Sequence, residues 1–152
     1  VRDADGYYTI LGRTDDVINV AGHRLGTREI EEAVSTHPSV AEVAVVGVHD
    51  ELKGQVPVVF ATLRGGIPDT FELPSLAHAI QAQVCEQLGT VARPSRVYLV
   101  GLLPKTRSGK LLRRSLQALA ENHDPGDLST LDDPPAIDAA RRARARRPAW
   151  SA

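Results

Sequence analysis

The amino-acid sequence predicts a small α+β domain, in which an N-terminal β-hairpin and a three-stranded sheet are packed by helices. Near-continuous β-branched runs at Val40–Val48 and Val56–Leu63 are typical of strands that are covered on at least one face. Other segments carry apolar residues at helical spacing, which indicates amphipathic helices. The clearest such stripe consists of Leu76, Ile80, Val84 and Leu88.

Length and composition favour one domain that can bury its own core. The chain has 152 residues, and its 18 Lys plus Arg nearly balance its 19 Asp plus Glu. No global field therefore favours nucleic acid or a membrane surface as a partner. The single cysteine, Cys85, excludes an internal disulfide and a thiolate zinc cluster, and the histidines show no metal-ligand spacing. Without an apolar run of membrane-spanning length or a signal peptide, the expected location is the cytoplasm.

The first elements are a hairpin and a helix. Two β-rich runs, Tyr7–Arg13 and Val17–Val20, predict a short hairpin with a polar turn between them. Gly22–Arg24 is expected to lead out of this hairpin. A helix is predicted to start at Gly26–Thr27, with glutamates near its positive end, and to stop at His37–Pro38.

The remaining elements alternate between strand and helix. The polar segment Asp50–Gln55 is expected to join the two long strands, and Gly65–Leu73 reads as a loop. Pro74 fits the first turn of the next helix. Val97–Val100 is predicted as the third core strand, and Leu111–Ala120 as the last helix of the domain.

Beyond Asn122 the composition becomes rich in Asp and Pro, which predicts an irregular tail over 122–152. A basic run near its end could contact a polyanion. A disordered, solvated end is the favoured interpretation, since no aromatic residues are interleaved with the arginines before Trp150. The run consists of Arg141, Arg142, Arg144, Arg146 and Arg147.

Leu103–Leu112, which reads LPKTRSGKLL, is the segment richest in chemistry. A polar loop that ends in Gly109-Lys110 at a helix start offers free N–H groups, the positive end of a helix dipole and a flexible ammonium to an anion. It is not a Walker A loop, because Leu111 stands where the magnesium-binding hydroxyl should be. Taken alone, the motif fits a solvated basic loop about equally well.

A second motif, GRTDDVINVAGHRLG at Gly12–Gly26, changes this balance. Together with PKTRSGK it resembles the mobile C-terminal domain of the acyl-adenylate-forming enzymes, and it is most similar to the acetate–CoA and propionate–CoA ligases. The resemblance runs from about Asp3 to about Ala139. It implies that residues 1–14 end a linker from a missing adenylation core and form the first hairpin strand, that 15–121 are the C-terminal domain, and that 122–152 are a tail.

The resemblance also implies the reaction. The family joins a carboxylate to AMP using ATP, releases pyrophosphate and then transfers the acyl group to CoA. The missing N-terminal adenylation domain would hold the acyl pocket, most of the nucleotide site and Mg²⁺, so the isolated chain is expected to be inactive. KGQVPVVFATL and DVINVAGHRL are similar to the propionate enzymes, whereas GTREIEE is similar to the acetate enzymes.

Carried over residue by residue, Lys110 matches the adenylation lysine, and Gly109 relieves the steric limits on its loop. Arg13 matches the residue that contacts the nucleotide ribose, and Arg24 the residue near the phosphate. Each arginine could otherwise be a plain surface residue. The exposed lysine is further expected to be a target of a lysine acyltransferase and a deacylase, since acylation would remove its charge.

Two more residues match the second half-reaction. Asp15 matches the hinge about which the domain rotates, and Gly22 the glycine beside which the pantetheine arm of CoA passes. Either could instead be an ordinary turn residue. Cys85 stands where related acetyl-CoA synthetases carry an arginine near the CoA phosphate. The alternative to the enzyme domain is a non-catalytic fragment or a small anion-binding module, and the sequence upstream of Val1 would discriminate them.

Overall fold

The computed structural model describes residues 16–67 and 72–146. Tyr7–Arg13, with the predicted first strand, and Asp15, the predicted hinge, therefore lie outside the described residues. The elements in chain order are β1 (Val17–Val20), β2 (His23–Gly26), α1 (Thr27–Ser35), β3 (Val40–Asp50), β4 (Gly54–Leu63), α2 (Leu73–Leu88), a 3₁₀ turn (Thr90–Ala92), β5 (Arg96–Leu99), α3 (Arg113–Ala120) and α4 (Pro134–Ala145).

The predicted α+β class is confirmed, with the three core strands extended into a five-stranded sheet. β3 and β4 form a long antiparallel pair, and β5 runs parallel to β4 over Val58–Ala61. β1 meets β4 at one residue pair, Val20 with Gly54, and pairs along its length with β2. The sheet order β2-β1-β4-β3 leaves β3 at one edge, where Lys105 of the lysine motif and Arg113 directly after it both contact this strand.

Helices cover both faces of the sheet. Val59 and Ala61 of β4 belong to a core cluster with α1 and α2, whereas Val58 and Phe60 belong to a second cluster with α3 and α4. The Phe60 ring packs on Tyr98 of β5 at a centroid separation of 5.1 Å. Because successive residues of a strand point to opposite faces, burial on both sides requires an uninterrupted apolar run. That requirement explains the sequence of β3 and β4.

The first two helices follow the sequence prediction closely. Ile30, Ala33 and Val34 are buried along one face of α1, and the chain turns beyond it at His37–Pro38. α2 has Pro74 in its first turn, where the missing proline N–H has no helical partner to lose.

The described hairpin differs from the predicted one. β1 pairs with β2, so Gly22–Arg24, which was expected only to lead out of the predicted hairpin, forms the turn and the start of the second strand of another hairpin. Ala21 and Gly22 both have positive φ, at 49° and 84°, as a two-residue type I′ turn requires. The usual sequence signal for this turn is Asn-Gly or Asp-Gly. The turn was not predicted because this chain has Ala-Gly at these positions.

The prediction of an irregular tail was wrong for Pro134–Ala145, which form α4. Asp133 and two prolines begin this helix, and Ala136, Ile137 and Ala140 are buried against the second core cluster. Two arginines, Arg142 and Arg144, occupy its last turn, where positive charge suits the helix dipole. Small apolar residues thus form a packing stripe, and Arg141, Arg142 and Arg144 of the basic run occupy other positions of the helix.

Candidate functional site: the lysine loop

The base of the lysine loop is closed by backbone pairing. Lys105 and Leu111 form an antiparallel bridge, and the Leu112 N–H donates to the Pro104 carbonyl over 3.0 Å. A second bridge joins Thr106 to Leu131, which precedes α4. The segment that sequence reasoning assigned to the tail therefore supports the loop.

The tip of the loop is a β-turn with a glycine bulge. Gly109 N–H donates to the Thr106 carbonyl over 2.8 Å, and Thr106 N–H donates to the Lys110 carbonyl over 2.8 Å. Gly109 has φ of 83°, a conformation that costs a residue with a Cβ atom about 1–2 kcal/mol. The Thr106 hydroxyl also accepts from the Lys110 N–H over 3.1 Å and lies 2.9 Å from the Ser108 hydroxyl. The loop is thus shaped before any ligand binds.

Lys110 does not stand at a helix N-terminus, contrary to the sequence prediction. α3 begins at Arg113, and the backbone N–H and carbonyl of Lys110 are both used within the loop. The Lys110 side chain is exposed, and no hydrogen bond or ion pair of its ammonium is found within 16–67 and 72–146. At this position the ammonium itself, and not a helix dipole, is the source of positive charge.

Two other cations, Lys105 in the motif and Arg113 directly after it, are tied to the domain. Lys105 forms an ion pair with Glu42 of β3. Arg113 forms a two-pronged ion pair with Glu31 of α1, whose second contact, from Nη2 to Oε2, measures 3.1 Å. Hydrogen bonding to Glu31 raises the pKa of Arg113 above its ordinary value. Among these three basic residues, only the ammonium of Lys110 is free of a carboxylate partner in the described part of the chain.

An open groove of about 560 Å³ lies beside the loop. Asp16 lines it together with Lys110, Gly109 and Arg113. Asp16 directly follows Asp15, the predicted hinge, and it shares this surface with the lysine loop. This shared groove brings two of the separately predicted regions together.

Gly22 and Arg24 lie on the β1–β2 hairpin and do not line that groove. A Cβ atom added to Gly22 would meet no atom of the described residues within 4 Å, so among them the turn presents a smooth backbone. The Ala21 N–H donates to the Lys53 carbonyl over 2.8 Å, which fixes the turn to the β3–β4 loop. Arg24 is exposed on β2, opposite Asn19. Cys85 is partly buried on α2.

Sequence reasoning missed the acidic residues that hold the loop. Glu31 is next to the buried Ile30 on α1, and its side chain is only 15% exposed. A glutamate beside an apolar helix stripe requires a partner when it is buried, and that was the available signal. Within the described residues, no group of three or more His, Cys, Asp or Glu side chains could hold a metal ion. In the same part of the chain, no helix is both long and apolar enough to cross a membrane.

Solved structures with this fold define the class of the domain. A crystal structure of a Brucella canis acyl-CoA synthetase is 39% identical with a TM-score of 0.60, over 76% of this chain and 20% of that one. An ATP-bound RpMatB-BxBclM chimera is 30% identical with a TM-score of 0.66, over 79% of this chain and 23% of that one. The class is thus a domain of the acyl-CoA synthetase type. The chain belongs to the family of AMP-binding enzyme C-terminal domains, whose profile matches residues 29–110.

Curated relatives agree with this family. The chain is 60% identical over 147 residues to a propionate–CoA ligase of Escherichia coli, and 57% identical over 145 residues to that of Salmonella typhimurium. It is 46% identical over 143 residues to an acetyl-coenzyme A synthetase of Pyrobaculum arsenaticum. Each match covers 94% of this chain but only 21% to 23% of the relative. The chain therefore spans less than a quarter of the length of these enzymes.

Proposed function

We propose that this chain serves as the C-terminal domain of an AMP-forming short-chain acyl-CoA synthetase, which converts a carboxylate, ATP and CoA to acyl-CoA, AMP and pyrophosphate. Lys110 supplies positive charge in the first half-reaction, and the Gly22 turn faces CoA in the second. The proposal rests on one observation above all. The ammonium of Lys110 is exposed, has no carboxylate partner in the described part of the chain, and is carried by a hydrogen-bonded hairpin with a glycine bulge.

The first half-reaction explains why a lysine is needed. A carboxylate oxygen attacks the α-phosphorus of ATP, the new P–O bond forms, and the bond to pyrophosphate breaks. Negative charges crowd the reacting phosphorus, and a positioned ammonium both offsets their repulsion and stabilises the developing charge. Lys110 suits this role because its ammonium has no carboxylate partner among the described residues, unlike the ammonium of Lys105. The residues that bind the nucleotide base, the acyl chain and Mg²⁺ would belong to the rest of the enzyme.

The second half-reaction requires Lys110 to leave, because it occupies the place that the thiol must reach. Rotation about Asp15 would withdraw the lysine loop and present the β1–β2 turn. Support for this comes from Asp16, which follows Asp15 and lines the lysine groove. At the turn, Gly22 offers a backbone without a side chain, which suits close passage of a pantetheine arm. Arg13 and Arg24 would contact the nucleotide ribose and phosphate.

Propionate is the favoured acyl substrate. The two propionate–CoA ligases are more similar to this chain than the acetyl-coenzyme A synthetase over the same part of the sequence. Since the acyl pocket would lie outside this chain, a comparison of propionate with acetate requires the full-length enzyme.

The test replaces Lys110 with Ala in the full-length enzyme and measures the half-reactions separately. Pyrophosphate exchange should fall about a hundredfold or more, because one transition-state charge contact is lost. Thioester formation from supplied acyl-adenylate should persist. Lys105→Ala is the matched control, because it removes a lysine of the same loop that is already paired with Glu42. Equal losses of exchange in the two variants would contradict the role of Lys110.

A further inference from the structure

One ion pair connects the two helical layers around the edge of the sheet. Glu31 belongs to α1, which packs in the first core cluster, and Arg113 belongs to α3, which packs in the second. Their side chains meet at Val45 of the edge strand β3. The Val45 N–H donates to Glu31 Oε1 over 2.9 Å, and Arg113 Nη1 donates to the Val45 carbonyl over 3.0 Å.

Hydrogen bonds occupy both oxygens of the Glu31 carboxylate. Both oxygens of Glu31 accept from Arg113, and one also accepts from the Val45 backbone. The side chains are only 15% and 26% exposed, so solvent screens the pair less than a surface ion pair. A two-pronged arginine–carboxylate pair fixes orientation as well as distance, which a lysine cannot do. The pair also covers the N–H and C=O that the edge strand leaves open at Val45.

The position of Arg113 in the chain gives this pair its importance. Arg113 is the first residue of α3 and follows the closing bond of the loop from Leu112 to Pro104. The exit of the lysine loop is therefore attached to α1, while the entry is attached to β3 through Lys105 and Glu42. The Glu31–Arg113 pair is the less exposed of the two, with side chains 15% and 26% exposed against 48% and 35% for Glu42 and Lys105, so it contributes more to the orientation of the loop.

We propose that Glu31 and Arg113 are positioning residues that orient the loop carrying Lys110 for adenylation. This inference rests on the proposed function, because it concerns the same lysine. Neither side chain needs to touch the substrate, since each acts through the direction in which the loop leaves the sheet. A displacement of about 1 Å at a reacting group can cost on the order of a hundredfold in rate.

The experiment uses the full-length enzyme with Arg113→Lys and, separately, Glu31→Gln. Arg113→Lys keeps the charge and removes the two-pronged geometry, whereas Glu31→Gln keeps the shape and removes the carboxylate. For each variant, kcat of pyrophosphate exchange should fall about tenfold to a hundredfold, with KM for ATP changed by less than about threefold. Thioester formation from supplied acyl-adenylate should stay within about twofold of the wild type, because Lys110 is not used in that step.

Two controls separate positioning from folding. Arg28→Ala breaks the exposed Arg28–Glu32 pair of the same helix, whose closest contact is 3.6 Å, and should leave both half-reactions unchanged. Ile30→Val removes one buried methyl group beside Glu31 and should lower Tm without changing the ratio of the two half-reaction rates. The inference is wrong if Arg113→Lys and Glu31→Gln behave like Ile30→Val. It is also wrong if exchange is retained in both variants.

Failure of this inference is distinguishable from failure of the proposed function. If Lys110→Ala abolishes exchange while Arg113→Lys does not, the lysine role stands and only the positioning role falls. If Lys110→Ala leaves exchange intact, the proposed role of the lysine falls together with any role in orienting it.

Discussion

The lysine loop, Pro104–Leu112, and the β1–β2 turn, Val20–His23, both reverse the chain direction, but the lysine loop is bonded to more parts of the fold. Each is a tight reversal with a glycine in the left-handed region, Gly109 at φ of 83° and Gly22 at φ of 84°. The lysine loop is bonded to β3 and to the segment before α4, and Arg113, the residue directly after it, is bonded to α1. Among the described residues, the β1–β2 turn is attached to one region, where the Ala21 N–H donates to the Lys53 carbonyl and Val20 pairs with the neighbouring Gly54.

The difference corresponds to what each region must present. A charged side chain at the end of a flexible stem is useful only if its backbone anchor is fixed to within a fraction of an ångström, so the lysine loop needs several attachments. A smooth stretch of backbone needs only its φ and ψ angles, which a glycine and a strand pair already supply. The predictions below test this contrast.

The largest expected effect is at the β1–β2 turn. In the full-length enzyme, Gly22→Leu should block thioester formation, with a loss of about a hundredfold, while pyrophosphate exchange is retained. The leucine would project into space that is open in this domain and that the pantetheine arm would use. Pyrophosphate exchange should be measured with ATP and the carboxylate, and thioester formation should be measured with supplied acyl-adenylate and CoA.

The Gly65→Leu variant is the control for the backbone strain that a side chain would cause at position 22. Gly65 has φ of 82° and equally open surroundings, but it lies in the loop after β4. The two variants should lose similar Tm, and only Gly22→Leu should lose the thioester step. If Gly65→Leu loses that step to the same extent, strain alone explains the result and Gly22 does not mark the CoA path.

An intermediate effect is expected from lysine acylation. Incubation of the full-length enzyme with a lysine acyltransferase and acyl-CoA should modify Lys110 and suppress exchange, because acylation removes the charge. Lys105 should be modified less, since its ammonium is paired with Glu42. Mass spectrometry of the modified peptides measures the occupancy of both lysines.

The Glu42→Gln variant extends this test, because it removes the carboxylate that is paired with Lys105. A partly exposed ion pair is worth about 0–1 kcal/mol, so the rate of Lys105 acylation should rise by no more than about fivefold. Unchanged Lys105 occupancy in Glu42→Gln would show that the pair does not protect it. Full exchange activity with Lys110 acylated would contradict the charge requirement itself.

The smallest effect is expected from Gly109→Ala. An alanine at φ of 83° costs about 1–2 kcal/mol, so the free energy of unfolding should fall by that amount. Because the loop remains attached at its base, exchange should fall by less than tenfold, which is far less than in Lys110→Ala. Urea unfolding measures the first quantity and pyrophosphate exchange the second. A loss of exchange as large as that of Lys110→Ala would mean that the base of the loop does not hold its shape.

Prediction from sequence succeeded where the signal is local or where a motif is specific. Apolar runs predicted β3 and β4, and Pro74 marked the start of α2. The motif pair identified the family, which the comparisons confirmed. The domain boundaries and the roles of Lys110, Gly22 and Arg24 stay predictions, as do those of Arg13 and Asp15 outside the described residues.

The misses have a common physical origin in tertiary contact. The sequence predicted a tail in place of α4 because the buried stripe of this helix consists largely of alanines. Such small side chains give a weak apolar pattern, and they are buried only because α4 packs on α3 and β5. Lys110 was placed at a helix start because helical spacing begins in the sequence at Leu111. The bridge between Lys105 and Leu111 uses that segment to close a hairpin, which delays α3 to Arg113.

By itself, the sequence determined the class of the fold, the family and the loop that presents Lys110, because these depend on the spacing of residue types along the chain. Only the tertiary structure decided which charges are neutralised. Glu31 and Arg113 are 82 positions apart, and Glu42 and Lys105 are 63 apart. No local pattern encodes such pairs, because the order of the strands and the packing of helices on both faces of the sheet bring them together. The same packing gives Lys105 and Arg113 carboxylate partners and leaves Lys110 without one among the described residues.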